Sequence, residues 1–68
     1  MAKYFVNSQP QPNRDHEVHV QGCAHMPAPQ HAIPLGEHVV CQTAVAKAKI
    51  RYPTANGCFY CCRPCHTS

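Results

Sequence analysis

Cysteines are concentrated in residues 58–68, which we call the Cys-rich tail. Four of them form two C-x-x-C pairs, Cys58 with Cys61 and Cys62 with Cys65. A tight C-x-x-C turn brings two thiolates within reach of one ion, and zinc–sulfur bonds are about 2.3 Å long. The tail therefore predicts a metal-binding turn, and disulfide bonding is the alternative.

The remaining composition makes a cross-link of this kind necessary. The chain has 68 residues, which we interpret as one domain spanning residues 1–68. A core of this size rarely contributes more than about 3–5 kcal/mol without a disulfide, a metal or a partner. The core formers are also few, with no Trp, two Phe and three Tyr, whereas seven Pro interrupt the chain. Six Cys and six His are the obvious source of the missing stability.

The first residues bear on the choice between metal and disulfides, because disulfides persist in oxidising compartments. A secretory signal needs a continuous apolar run, and residues 1–8 are only briefly apolar. The chain also lacks an apolar stretch of membrane-spanning length. We therefore expect a cytoplasmic protein with reduced thiols, bound Zn²⁺ and no membrane contact. An extracellular miniprotein held by disulfides is the alternative.

The hydrophobic pattern predicts two strands in the first third of the chain. Residues 3–6 are aromatic and β-branched, and residues 16–21 alternate between apolar and polar positions. We expect these strands to pair through the proline-rich loop between them. Residues 23–34 contain three prolines and predict irregular chain, and residues 35–40 predict a turn with at most a short extended piece.

One helix is predicted from Cys41 or Gln42 to Tyr52. Its alanines and basic residues favour helix, and Cys41, Val45, Ala48 and Tyr52 form one apolar stripe. Pro53 ends it. The expected fold is α+β: a small antiparallel β-sheet with one helix, stabilised by zinc.

A second half-site lies at the end of the second predicted strand, where His19 and Cys23 form an H-x3-C pair around Gly22. Structural zinc takes four ligands from Cys and His. The tail supplies some of them, so the others must come from elsewhere. The candidate ligands are His19, Cys23, Cys58, Cys61 and Cys65, and the choice within the tail stays open.

Other chemistry is poorly supported. His16 should face away from His19, because residues three apart point to opposite faces of a strand, and Cys41 is best interpreted as a buried thiol. Cys62 to His66 matches the C-x-x-C-H pattern of haem attachment, but that chemistry requires export. Phosphate-binding glycine loops and Ser-His-Asp candidates are absent from the sequence. We therefore expect no enzymatic activity.

Several segments together resemble a family of short, uncharacterised bacterial proteins rich in Cys and His. They are Tyr4-Phe5-Val6-Asn7, the stretch from Asn13 to His19, Gly22-Cys23, Leu35-Gly36, the helix from Ala44 to Lys49, and the tail. This resemblance covers nearly the whole chain and implies no particular activity.

A more distant resemblance is to the β-β-α metal-binding domain of Ada-type DNA repair proteins. His19 and Cys23 match its first ligand pair, and Gly57 and Cys61 match the start of its closing Gly-x-x-x-C-x-x-C motif. Three residues separate Cys61 from Cys65, where that motif has two. The last ligand therefore stays open, and DNA-alkyl chemistry is not implied.

These observations predict a small zinc-binding domain with a structural metal site that acts as a protein or nucleic-acid interaction module. The net charge of +3 permits a nucleic-acid contact without requiring one. A metal storage or carrier protein is the alternative suggested by the surplus of Cys and His.

Overall fold

A computed structural model describes residues 1–12 and 14–66 of the chain. Within these residues, four strands and one helix form the fold: β1 (Ala2–Asn7), β2 (His16–Val20), β3 (Ala32–His38), α1 (Cys41–Arg51) and β4 (Ala55–Gly57). Two short 3₁₀ turns lie at Pro29–His31 and Arg63–Cys65. The α+β class predicted from the sequence is confirmed.

The strands form one mixed sheet in the order β3-β1-β2-β4. β1 pairs antiparallel with β2, as predicted, and also with β3, which the sequence did not predict. β4 runs parallel to β2, because the chain returns to the sheet through α1. The sheet is therefore larger than the one predicted and is not wholly antiparallel.

β3 lies where the sequence predicts irregular chain and a turn. Its residues include Pro34 and Gly36, which normally interrupt a strand, but β3 is an edge strand, where proline is tolerated. The β1–β3 register shifts between Tyr4 and Phe5, and Gly36 has a φ of 86°. This bulge lets Leu35 enter the core, where it is buried.

The helix packs against one face of the sheet. Its buried residues are Cys41, Ala44, Val45 and Ala48, close to the predicted apolar stripe. They meet Tyr4, Val6 and Val18, which alternate along β1 and β2. The Tyr52 N–H donates to the Ala48 carbonyl at 2.8 Å and ends the helix before Pro53.

The core is small in the way that the composition predicts. The largest fully buried side chains are His19, Val6, Val18, Cys58 and Cys62. Three of these five residues therefore bear an imidazole or a thiol. Both phenylalanines stay out of the buried set, since Phe5 is half-buried and Phe59 is 43% exposed. Apolar packing is correspondingly limited.

His19 lies on the sheet face opposite the helix. It pairs with Phe5 of β1. Side chains alternate between the two faces of a strand, so Phe5 and His19 point away from the face that bears Tyr4, Val6 and Val18. His19 therefore lies outside the core cluster.

Among the helices in the described residues, none has the length and apolar character that crossing a membrane requires.

Candidate metal centre

Three separate segments meet at the end of β2. His19 comes from β2 itself, Cys23 from the turn that follows, and Cys58 and Cys61 from the chain after β4. Each residue offers one ligand atom, a ring nitrogen from His19 and the sulfur from each cysteine. These four atoms lie within 4.8 Å of one another. We call these four residues the Cys₃His cluster.

The turn after β2 directs Cys23 back toward the sheet. The Cys23 N–H donates to the Val20 carbonyl at 3.1 Å, and Gly22 has a φ of 92°. A positive φ at this position of a tight turn favours glycine, which lacks a Cβ. The H-x3-C spacing therefore brings two ligands together because glycine allows the chain to reverse between them.

Cys58 to Cys61 form a second tight turn, which we call the knuckle. The Cys58 N–H donates to the Val18 carbonyl at 2.9 Å and fixes the start of the knuckle beside β2. The Cys62 N–H donates to the Cys58 carbonyl at 2.9 Å and closes the turn. The predicted pairing of Cys58 with Cys61 at one site is therefore built by backbone hydrogen bonds.

The distances within the Cys₃His cluster suit a tetrahedral ion. Cys23 Sγ lies 4.0 Å from Cys58 Sγ, and Cys61 Sγ lies 3.9 Å from His19 Nδ1. Zinc–sulfur bonds of 2.3 Å at tetrahedral angles separate two sulfurs by about 3.8 Å. The cluster therefore needs to contract by only a few tenths of an ångström at these pairs. The four residues could therefore hold a metal ion.

Backbone amides support two of the sulfur atoms. The Val20 N–H donates to Cys61 Sγ at 3.4 Å, and the His25 N–H donates to Cys23 Sγ at 3.4 Å. An N–H donor favours the thiolate over the thiol, since a hydrogen bond to an ionised group is the stronger one. Metals bind the thiolate form of cysteine, so the Val20 amide favours the form of Cys61 that a metal requires.

Glu17 supports His19 from outside the cluster. Its Oε1 atom lies 3.6 Å from His19 Nε2, while His19 Nδ1 faces Cys61. A carboxylate beside Nε2 favours the tautomer that leaves Nδ1 free to bind a metal. Sequence reasoning missed this role, although Glu17 is two residues before His19 and therefore on the same face of β2.

Burial changes the protonation of the cluster in both directions. It lowers the pKa of His19, and the nearby His25 lowers it further, so the imidazole stays neutral as a metal ligand must. Burial raises the pKa of the Cys61 thiol far above its ordinary range, against the opposing effect of the Val20 N–H. A thiol of this kind loses its proton when a cation supplies the compensating charge. Glu17 also has a raised pKa, chiefly through burial.

Cys62 is close to the cluster but belongs to the core. Its sulfur lies 3.8 Å from Cys61 Sγ, yet it is not among the atoms that all lie within 4.8 Å of one another. It is 1% exposed and packs with the core residues, and burial raises its pKa. The structure therefore gives Cys62 a packing position.

Cys65 lies outside the cluster, although the sequence analysis included it among the candidate ligands. Its sulfur forms a disulfide with Cys41, whose Cα is 6.4 Å away and 24 residues earlier. The interpretation of Cys41 as a free buried thiol and the expectation of wholly reduced thiols are therefore wrong at this pair. The cause is tertiary: the 3₁₀ turn Arg63–Cys65 brings Cys65 to the start of α1.

The structure also places the other histidine considered as a ligand. The His16 ring stacks on Tyr52 with centroids 4.2 Å apart, and its Nδ1 lies 2.9 Å from the Asn7 carbonyl oxygen. It is thus occupied at the far end of β2, as the alternation of the strand predicts.

Comparison of the chain with protein-family models, with curated proteins and with solved structures gives no match. The resemblances to the short bacterial family and to the Ada-type domain therefore stay predictions from the sequence.

Proposed function

We propose that this chain is a zinc-binding domain whose metal is structural and whose role is to bind a protein or a nucleic acid, without catalysis. The observation that supports this most directly is the convergence of one imidazole and three sulfurs within 4.8 Å, from three segments that are distant in sequence. An ion at this point would join β2, the turn after it and the knuckle, and so close the fold.

The energetic argument follows from the small core. Structural zinc contributes about 10–16 kcal/mol of apparent binding free energy at neutral pH, which exceeds the few kcal/mol that a core of this size supplies. His19 and Cys58 are each 1% exposed. Burying such polar groups costs free energy unless a partner compensates for it, and a bound cation is a suitable partner.

Elemental analysis of the purified protein, beside titration of its free thiols, tests the metal assignment. We expect one zinc per chain, slow exchange with added metal, and loss of the far-ultraviolet circular dichroism spectrum when a strong chelator removes the ion. A chain that contains no metal, or that keeps its spectrum unchanged under the chelator, would contradict the proposal.

The same measurement separates the alternative role. A storage or carrier protein would bind several ions that exchange rapidly, whereas a structural site holds one ion slowly. Cobalt substitution adds a spectroscopic check, because tetrahedral cobalt with thiolate ligands absorbs strongly in the visible range. The cytoplasmic location stays a proposal. Counting free thiols in protein taken directly from its host cells tests it, because a persistent disulfide between Cys41 and Cys65 indicates an oxidising compartment.

A further inference from the structure

An exposed group of side chains surrounds the knuckle. Phe59 and Tyr60, between the two knuckle cysteines, are 43% and 69% exposed. The His25 ring stacks on Tyr60 with centroids 3.9 Å apart, and the Arg63 guanidinium carbon lies 4.8 Å from the Phe59 ring centre. We call His25, Phe59, Tyr60 and Arg63 the aromatic surface.

Folding alone does not account for these exposed rings. The chain has two Phe and three Tyr and is short of residues that could enlarge its core. Two of these five rings nevertheless lie on the surface, side by side, with centroids 5.3 Å apart and planes at 90°. Adjacent exposed aromatic rings are typical of a binding surface.

The rings are also held in place before any partner arrives. The knuckle that bears them is anchored by the Cys58 N–H to the Val18 carbonyl and by the Val20 N–H to Cys61 Sγ. His25 supports one face of Tyr60, and Arg63 supports one face of Phe59. Side chains ordered in advance lose little conformational entropy on binding.

The charge of the surface indicates which partner it suits. Arg63 is its permanent charge and none of its four residues is acidic, in a chain of net charge +3. Glu17 interacts electrostatically with His25, but its carboxylate lies beside His19. A planar guanidinium next to aromatic rings matches a phosphate next to an unpaired base.

We propose that the aromatic surface binds single-stranded nucleic acid, with an unpaired base stacked on Tyr60 and the Arg63 guanidinium at a backbone phosphate. This inference rests on the metal-stabilised fold proposed above and specifies single-stranded nucleic acid as the partner of that domain. Stacking is tolerant of base identity, because every base has a π-face. Bases paired in a duplex cannot reach Tyr60 in this way, so duplex DNA binds weakly.

Fluorescence anisotropy with labelled oligo-dT and oligo-rU of about 12 nucleotides tests the proposal, since single-strand binding sites commonly span roughly 4–16 nucleotides. Tyr60→Leu should weaken binding about 5- to 150-fold, which corresponds to the loss of one stacked base. Tyr60→Phe keeps a ring and should bind as the wild type does. Comparing dT with rU shows whether the sugar matters.

The salt dependence isolates the contribution of Arg63. Contact with one phosphate of a single strand contributes about −0.7 to the slope of log K against log salt concentration. Arg63→Ala should therefore reduce the slope by about 0.7. Lys47→Ala is the matched control, because Lys47 lies beside Gly36 on β3, at the sheet edge farthest from β4. It should leave the slope unchanged.

Three results would overturn the proposal: no binding of either oligonucleotide by zinc-loaded wild type, equal losses for Arg63→Ala and Lys47→Ala, or equal binding of duplex and single strand. A change of oligomeric state in Tyr60→Leu without a change in oligonucleotide binding would instead make the surface a protein interface. Zinc content is measured on every variant. Zinc-loaded, folded protein that ignores oligonucleotides contradicts this inference alone, whereas metal-free folded protein contradicts the proposed function.

Discussion

Replacing Cys61 or Cys62 by alanine compares a proposed metal ligand with a cysteine that lies next to it but outside the cluster. The two residues are adjacent in sequence and their sulfurs are 3.8 Å apart. Only Cys61 belongs to the Cys₃His cluster, whereas Cys62 packs in the core. The substitution removes one sulfur in each case, so the difference between the variants reports the metal.

Cys61→Ala should lose several times more stability than Cys62→Ala. Four ligands sharing about 10–16 kcal/mol of zinc binding contribute on average about 2.5–4 kcal/mol each, so Cys61→Ala should weaken zinc binding roughly 70- to 900-fold. Cys62→Ala removes one buried sulfur, which costs about 1 kcal/mol of packing. In a domain of this size 1 kcal/mol shifts the melting temperature by about 4–8 °C. Cys61→Ala should therefore lower it by roughly 10–30 °C and Cys62→Ala by roughly 4–8 °C.

Competition with a chromophoric chelator measures zinc affinity, and thermal melts at a fixed free zinc concentration measure stability. The melts must share one zinc concentration, because binding to the folded state alone makes the melting temperature depend on it. Equal losses of zinc affinity in the two variants would refute the assignment of Cys61. An unchanged melt for Cys61→Ala would refute the whole site.

Three further predictions concern the surroundings of the site. Glu17→Gln should weaken zinc binding about 10- to 100-fold in the same chelator competition, because outer carboxylates orient metal-binding histidines; unchanged affinity would contradict the role given to its contact with His19. Gly57→Ala should destabilise the fold by about 3 kcal/mol in urea unfolding. A Cβ at this position would lie 2.6 Å from the Cys65 Cβ and 2.7 Å from the Cys62 carbonyl oxygen. A loss below about 1 kcal/mol would contradict this close packing. Reducing the disulfide between Cys41 and Cys65 should lower the free energy of unfolding by about 3.5 kcal/mol, because the unfolded chain is then no longer constrained by the closed loop. The zinc should stay bound. Zinc release on reduction would show that the metal site depends on the disulfide.

The local patterns were sufficient to predict β1, β2 and α1. Alternation in residues 16–20 and an Ala-rich stripe in residues 41–51 depend on neighbours in sequence. The other two strands depend on tertiary context. β3 includes Pro34, which is acceptable only because β3 lies at the edge of the sheet. β4 is the three-residue segment Ala55–Gly57, buried throughout and paired with β2 only after the helix has returned the chain.

Within the candidate site, the spacing of ligands was more informative than their number. The H-x3-C and C-x-x-C pairs each lie on one tight turn, so the sequence could place His19 with Cys23 and Cys58 with Cys61. Glu17 could have been found from its i, i+2 relation to His19. The amide of Val20 could not, because its contact with Cys61 joins residues 41 apart.

The separation of Cys65 from the ligands shows why counting cysteines cannot assign them. Sequence spacing makes Cys62 and Cys65 as good a C-x-x-C pair as Cys58 and Cys61. The difference arises from Gly57, whose missing Cβ lets Cys65 pack against β4, and from the 3₁₀ turn that then brings the Cys65 sulfur to Cys41. The first tail pair is thereby joined to β2 and the last cysteine to α1. The disulfide fastens the tail to α1, and the metal proposed at the Cys₃His cluster would fasten it to β2, in a fold whose apolar core is too small to hold the tail alone.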